Sequence, residues 1–160
     1  MRIFAALSLA LVAFTLCLQE TAVSADPAPE IAHPKLPAGA GQIDADAPKT
    51  FTTTASGLKY RILRKGTGKQ PKATNTVTVH YHGWLDNGTK FDSSYDRRET
   101  IEFPLNGVIP GWTEGMQLVG EEGMIELEIP SNLGYGARGA GGVIPPNATL
   151  HFLVELIDVK

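Results

Sequence analysis

The side chains that could act on a substrate in this chain are mainly aromatic or branched, and many lie near predicted turns. They are Tyr81, Trp84, Phe91, Phe103, Val108, Ile109, Trp112, Tyr135, Val143, Ile144 and Phe152. Core packing is the usual role of large apolar residues. Residues 133–146, however, contain five glycines and a Pro-Pro pair beside Tyr135, Val143 and Ile144. A long loop of this kind between strands more often belongs to a binding site than to a core.

Few residues offer covalent or metal chemistry. The sequence has no serine in a nucleophile-elbow context, no phosphate-binding loop and no His-Glu-x-x-His motif. His80 and His82 share one face of a predicted strand, where they could bind a metal or simply face solvent, and no third ligand is evident nearby. The single cysteine, Cys17, excludes a disulfide framework and multi-cysteine metal sites. We therefore expect no cofactor and no metal.

The overall composition fits one globular domain without a nucleic-acid surface. The chain has 160 residues, 14 Lys+Arg against 17 Asp+Glu, and 42% hydrophobic residues. This hydrophobic content at low net charge is enough to bury a core. No basic run or stripe matches the charge density of a phosphate backbone, so we expect no nucleic-acid partner.

The N-terminus has the pattern of a secretory signal peptide over residues 1–25. Arg2 precedes an apolar run from Ile3 to Leu18, and Val23-Ser24-Ala25 supplies small residues for cleavage. The run is short for a bilayer core of about 30 Å, but an uncleaved anchor remains an alternative. Cleavage would leave an exported chain, periplasmic or secreted, with no membrane attachment and no cysteine. Its folding would not depend on the redox state of its compartment.

A change in composition near residue 50 divides the remaining chain. Residues 26–50 contain five of the 11 prolines and almost no large apolar residue, which predicts a flexible, disordered tether. Residues 51–160 alternate apolar and polar side chains and are long enough for one compact domain.

Period-two alternation dominates this domain and indicates a sheet. Strands are predicted at 58–62, 77–81, 125–129 and 149–159. Asp86-Asn87-Gly88 provides turn residues for a hairpin that leads to Phe91. Helical spacing occurs only between Pro110 and Gly120, with proline at a possible first-turn position. These elements predict an α+β fold in which an antiparallel sheet wraps one short helix.

Five blocks of residues resemble the FKBP-type peptidyl-prolyl cis/trans isomerases. The blocks are VHYHGWL at 79–85, GTKFDSS at 88–94, VIPGWTEGM at 108–116, YG at 135–136, and IPPNATLHF at 144–152. They occur in the family's order across residues 55–160. The resemblance implies a twisted half-barrel of five or six antiparallel strands around the helix, with an apolar pocket that takes a proline ring.

The resemblance also implies roles for individual residues. Trp112 would form the pocket floor, with aromatic and branched side chains as walls and rim. Those predicted to contact substrate are Tyr81, Phe91, Phe152, Ile101, Val108, Ile109, Val143 and Ile144. The backbone N–H of Ile109 and the hydroxyl of Tyr135 would donate hydrogen bonds to substrate carbonyls. Asp92 would be the one acid of the pocket, paired with Arg97, although a turn-capping role is the alternative for Asp92. Ile101 stands where many members have an aromatic residue.

The function implied by this resemblance is acceleration of X-Pro rotation during the folding of exported proteins. The partners would be proline-containing unfolded or extended polypeptides, with rapamycin-like macrolides as inhibitors. An FKBP-like module that binds proline segments, or acts as a chaperone with little turnover, is the alternative. No long charged helix precedes the domain, so we expect a monomer.

Overall fold

Seven antiparallel strands form one sheet in a computed structural model that describes residues 29–160. The strands are β1 (Thr52–Thr53), β2 (Lys59–Arg64), β3 (Thr76–Leu85), β4 (Lys90–Ser93), β5 (Ile101–Pro104), β6 (Met124–Ile129) and β7 (Leu150–Val159). Their spatial order is β1-β2-β6-β7-β3-β4, and β5 also pairs with β3. Two α-helices occur within the described residues, α1 (Ser94–Arg97) and α2 (Pro110–Met116). Short 3₁₀ turns cover Leu105–Gly107, Ser131–Leu133 and Gly136–Arg138.

The central strands β3 and β7 give the sheet two different faces. Along β3, buried residues alternate with partly exposed ones, so that Val77, Val79 and Tyr81 point into the core. Tyr81 lies opposite Val154 of β7, and Gly83 lies opposite Phe152. This period-two alternation places one side of each strand on the helix-facing surface, which we call the inner face. His80, His82 and Trp84 occupy the other surface, the outer face.

Helix α2 packs closely on the inner face because two of its residues lack side chains. An added Cβ at Gly111 would lie 2.5 Å from Cγ2 of Ile129, and one at Gly115 would lie 2.7 Å from Cδ2 of Leu127. Pro110 occupies the first turn of the helix, where its missing N–H costs nothing. The close approach brings Trp112 down onto the strands that carry the site.

These elements confirm the predicted α+β fold with an antiparallel sheet around a short helix. The sheet has seven strands rather than five or six, because β1 contributes a two-residue pairing and β4 and β5 both pair with β3. The single-turn helix α1 has no periodicity long enough to be found in the sequence.

The segment before the domain differs from the free tether that its proline content predicts. Residues 31–44, here called the N-terminal strap, lie on the outer face without regular secondary structure. Leu36 and Ile43 pack against a buried cluster of Leu63, Met124 and Leu153. Asp44 donates its backbone N–H to the carbonyl of Leu63 at 2.8 Å.

The strap is ordered by main-chain groups as much as by apolar side chains. Arg61 donates to the carbonyls of Ile31 and Ala32, both at 2.8 Å. Composition reflects how much apolar surface a segment can bury, and it contains no information on hydrogen bonds of this kind. The predicted signal peptide, 1–25, lies outside the described residues, and the domain boundaries at 26–50 and 51–160 remain predictions. Across residues 29–160, no helix has the length and apolarity needed to cross a membrane.

Candidate active site

A small aromatic cavity opens between helix α2 and the inner face of the sheet. Its volume is about 90 Å³, and the lining residues are Tyr81, Phe103, Val108, Ile109, Trp112 and Phe152. Drug-sized ligands need roughly 300–1,000 Å³. The cavity therefore suits a single small apolar ring better than a large ligand.

Trp112 forms the base of this cavity and is almost fully enclosed. Its side chain is 4% exposed, and its ring meets Tyr81, Phe103 and Phe152 edge-to-face at centroid distances of 5.5, 5.5 and 5.3 Å. Edge-to-face contacts are the favoured arrangement of aromatic quadrupoles. The indole is thus held in one orientation from three sides.

A second, larger cavity of about 230 Å³ adjoins the first and shares Tyr81 and Phe152 with it. Its other lining residues are Phe91, Asp92, Tyr135, Ala140, Gly141, Val143 and Ile144. Phe91 meets Phe152 edge-to-face at 5.4 Å. The two cavities together give an extended chain room on one side of the ring site.

Three polar side chains meet at the border of the two cavities. The hydroxyl of Tyr81 donates to Asp92, and Arg97 donates to Asp92 Oδ1 at 2.6 Å and to the Tyr81 oxygen at 3.1 Å. Burial acts to raise the pKa of Asp92, but the hydrogen bonds from Arg97 and Tyr81 outweigh it and hold that pKa below its usual value. Burial, followed by the hydrogen bond to Asp92, raises the pKa of Tyr81 to about 12. At neutral pH the phenol of Tyr81 is therefore uncharged and lies between the negative charge of Asp92 and the positive charge of Arg97.

Two donors available to a substrate lie at opposite ends of the site. Ile109 precedes α2, and within residues 29–160 its backbone N–H donates no hydrogen bond. Tyr135 is 42% exposed in the glycine-rich loop, and its side chain lines the larger cavity. Both can reach polar groups of a bound chain without breaking an existing bond.

Ten of the twelve predicted site residues line one or both of these cavities. Arg97 lines neither, but it donates to Asp92 and Tyr81 at their border. Ile101 packs against the core and is the one predicted residue that the structure does not bring to the site. Phe103 lines the smaller cavity; it is among the aromatic candidates of the sequence, but the resemblance assigned it no role in the site. Both residues belong to β5 and are separated by two positions, so strand alternation already assigns them to one face. Ala140 and Gly141 were also missed, because small loop residues carry no chemical signal.

The other candidate features lie away from this site. His80 and His82 are on the outer face, where His80 Nδ1 is 2.9 Å from Ser94 Oγ. Within the described part of the chain, no cluster of three potential metal ligands occurs.

A larger cavity of about 550 Å³ is lined by Asp44, Arg64, Lys65, Thr67, Glu122 and Ile157. Its charged and polar groups are paired with protein atoms, so it offers less to an apolar ligand than the aromatic site.

Comparison with known proteins places this fold and site in a family. Residues 67–157 match the family model described as FKBP-type peptidyl-prolyl cis-trans isomerase. The chain belongs to the FKBP-type family. The predicted resemblance is thereby confirmed, and it covers both cavities of the site.

Curated FKBP-type relatives include both shorter and longer proteins. FkpA of Aeromonas hydrophila is 55% identical over 108 residues, which are 68% of this chain and 40% of that protein. An FK506-binding protein of Neisseria meningitidis serogroup B is 55% identical over 105 residues, 64% of this chain and 96% of that protein. The chain spans less than half the length of the longer relatives it matches.

Solved FKBP structures share the fold. The crystal structure of FkpA from Escherichia coli has a TM-score of 0.67 and 49% identity, and the match covers 69% of this chain and 51% of that one. AtFKBP13 has a TM-score of 0.64 and 34% identity, with coverage of 69% and 99%.

A glycine in the loop over the larger cavity allows a direct test of loop geometry. Gly139 has a φ of 64°, and an added Cβ would lie 2.2 Å from the carbonyl oxygen of Ile144. Because Ala140 and Ile144 bridge across this loop, Gly139→Ala is expected to displace Ile144 and lower kcat/KM about tenfold. Steady-state isomerase kinetics would measure the loss.

Gly142 provides the matched control, because its φ is 72° but an added Cβ would meet no atom of residues 29–160 within 4 Å. Gly142→Ala carries only the backbone cost of a left-handed residue, about 1–2 kcal/mol. Equal losses of kcat/KM in the two variants would contradict the role assigned to the Gly139–Ile144 contact.

The polar group also predicts how activity depends on pH. A lowered pKa means that Asp92 stays charged until the pH falls through that value, and a pKa of about 12 keeps Tyr81 neutral. We expect kcat/KM to be flat between about pH 5 and 9. Exchange NMR on a peptide without titrating groups would measure this profile. An inflection near neutral pH would show that another group controls the site.

Proposed function

We propose that the protein is a peptidyl-prolyl cis/trans isomerase that binds the twisted X-Pro bond without covalent chemistry. The observation that carries the proposal is the small aromatic cavity on Trp112, beside the backbone N–H of Ile109. Family membership over residues 67–157 supports the same activity.

The reaction needs no nucleophile, because only rotation about an amide bond is required. The barrier of about 18–20 kcal/mol comes from amide resonance that is lost when the bond twists. Unassisted exchange therefore takes tens of seconds or more. A protein accelerates it by binding the twisted state more strongly than either planar state.

The residues of the site fit this requirement. Trp112, Tyr81, Phe103 and Phe152 would enclose the proline ring, and their apolar surfaces disfavour the more dipolar planar amide relative to the twisted one. The N–H of Ile109 would donate to a carbonyl of the substrate, which fixes the chain while the bond turns. Phe91 and Tyr135 would contact the chain next to proline in the larger cavity.

Substrates and inhibitors follow from the shape of the site. We expect proline-containing extended or unfolded chains as substrates, because the larger cavity opens beside the ring site. One relative is named an FK506-binding protein. We expect macrolides of the rapamycin type to bind here and compete with peptide, which calorimetric titration would detect.

Export and a monomeric state complete the proposal. The pattern of residues 1–25 supports cleavage after Ala25, so that the mature protein acts on chains folding outside the cytoplasm. Mass spectrometry of the processed protein would identify its first residue.

We expect size-exclusion chromatography with light scattering to give the mass of one chain. A doubled mass would contradict the proposed monomer.

Refolding of a protein limited by proline isomerisation tests the proposed folding role. Catalytic amounts of the mature chain are expected to speed the slow refolding phase. If peptide binds but the phase is unchanged, the protein acts as a proline-binding module without turnover, and the isomerase proposal fails.

A further inference from the structure

The outer face of the sheet carries a buried polar network that reaches the active site from behind. Tyr95 of α1 lies there, with its ring stacked on His80 at a centroid distance of 4.7 Å. Its hydroxyl donates to Glu155 Oε1 at 2.5 Å, and both side chains are only 6% exposed. The proposed isomerase chemistry uses neither residue.

Glu155 is the centre of this network, because three elements donate to it. Besides Tyr95, Arg64 of β2 donates from Nη2 to Oε2 at 2.7 Å, and Gly41 of the strap donates its backbone N–H to Oε1 at 3.0 Å. Burial acts to raise the pKa of Glu155, but the bonds from Tyr95, Arg64 and Gly41 hold it below its usual value. A buried carboxylate with this many donors is a fixed acceptor.

Helix α1 connects Tyr95 to the active site within a few residues. The helix starts two residues after Asp92, and its last residue, Arg97, donates to both Asp92 and Tyr81. At its first residue, Ser94 Oγ accepts the backbone N–H of Tyr81 at 2.8 Å. A single turn of helix has little stability of its own, so its position depends on contacts such as the bond from Tyr95.

We propose that Tyr95 and Glu155 are positioning residues for the active site. Their hydrogen bond, reinforced from the strap by Gly41, fixes α1 and so holds Arg97 and Asp92 against Tyr81. The strap is then a part of the active-site support rather than a linker. This inference rests on the proposed function where isomerase activity is the readout.

A second buried pair on the same face gives a matched control. The Glu126 side chain on β6 is 7% exposed and accepts from Arg61 Nε at 2.6 Å. Arg61 in turn donates to strap carbonyls, so this pair shares the burial, the charge and the strap contact of Glu155. The hydrogen bonds of the Arg61–Glu126 pair, however, connect to the strap and not to α1.

The experiment compares Tyr95→Phe and Glu155→Gln with Glu126→Gln in the full mature chain. Tyr95→Phe keeps the ring on His80 and removes only the donor. We expect kcat/KM to fall about fivefold in the first two variants, mainly through kcat, and less than twofold in Glu126→Gln. Thermal unfolding of all three variants would show that each is folded.

The titration of Asp92 provides a readout that does not depend on activity. The chemical shift of the Asp92 carboxyl carbon, followed by NMR as the pH is changed, gives the pKa of Asp92. This pKa depends on how closely Arg97 is held. We expect the pKa of Asp92 to rise in Tyr95→Phe and Glu155→Gln and to stay unchanged in Glu126→Gln. An unchanged pKa of Asp92 in Tyr95→Phe and Glu155→Gln, or an equal rise of that pKa in all three variants, would overturn the inference. A wild-type protein without isomerase activity would instead contradict the proposed function and leave the titration to decide the positioning role.

Discussion

Replacing Trp112 with leucine is expected to lower kcat/KM for an X-Pro peptide by about 30-fold, or about 2 kcal/mol. The indole forms the base of the smaller cavity and makes three edge-to-face aromatic contacts. Leucine keeps part of the apolar volume, so the core stays filled better than with alanine. What is lost is the flat aromatic surface under the proline ring. Exchange NMR of cis and trans peptide would measure the change.

The other tryptophan gives the control for this prediction. Trp84 lies on the outer face, stacked on His151 at a centroid distance of 5.6 Å. Trp84→Phe keeps an aromatic ring there and does not touch either cavity, so its activity should match the wild type. A Trp112→Leu protein that is folded and fully active would mean that catalysis occurs elsewhere.

Removing one member of the buried pair Arg61–Glu126 should have the largest effect on stability. The two side chains are 1% and 7% exposed, and Nε of Arg61 lies 2.6 Å from Oε2 of Glu126. Arg61→Met would leave the carboxylate buried without its partner, at a cost of about 3–5 kcal/mol. The variant would also lose the two bonds to strap carbonyls. Urea unfolding at equilibrium would measure the change in the free energy of unfolding.

The double variant Arg61→Met with Glu126→Leu separates charge from packing. With both charges removed, most of the stability should return, because no unpaired ion remains in the sheet. The loss of strap contacts should remain, since methionine cannot donate to the carbonyls of Ile31 and Ala32. If the double variant is as unstable as Arg61→Met, the penalty comes from strap contacts or packing rather than from an orphaned charge.

The regular part of the fold was predictable because its strands repeat with period two. Alternation along β3 and β7 assigns Tyr81 and Phe152 to the inner face, and Pro110 marks the start of the helix that packs on it. The family resemblance then supplied the roles of Trp112 and its neighbours. Strand alternation also places Phe103 on the same face as Ile101, although the resemblance gave a role in the site to Ile101 alone.

The strap and its network were not predictable from residue types. The strap offers only Leu36 and Ile43 to the cluster beneath it. Most of its other contacts are hydrogen bonds of its backbone groups, with Leu63, Arg61, Arg64 and Glu155. Hydropathy contains no information about such partners. Nor does spacing show that Tyr95 and Glu155, 60 positions apart, meet behind the active site.

The most direct test of the central claim is the rate of cis/trans exchange in a peptide with one X-Pro bond. The peptide would be present in large excess over the mature wild-type chain. Our account predicts exchange that is faster than in buffer, rises in proportion to protein concentration and is blocked by a macrolide occupying the aromatic cavity. An exchange rate equal to that in buffer, measured with folded protein, would contradict the claim that this cavity catalyses rotation.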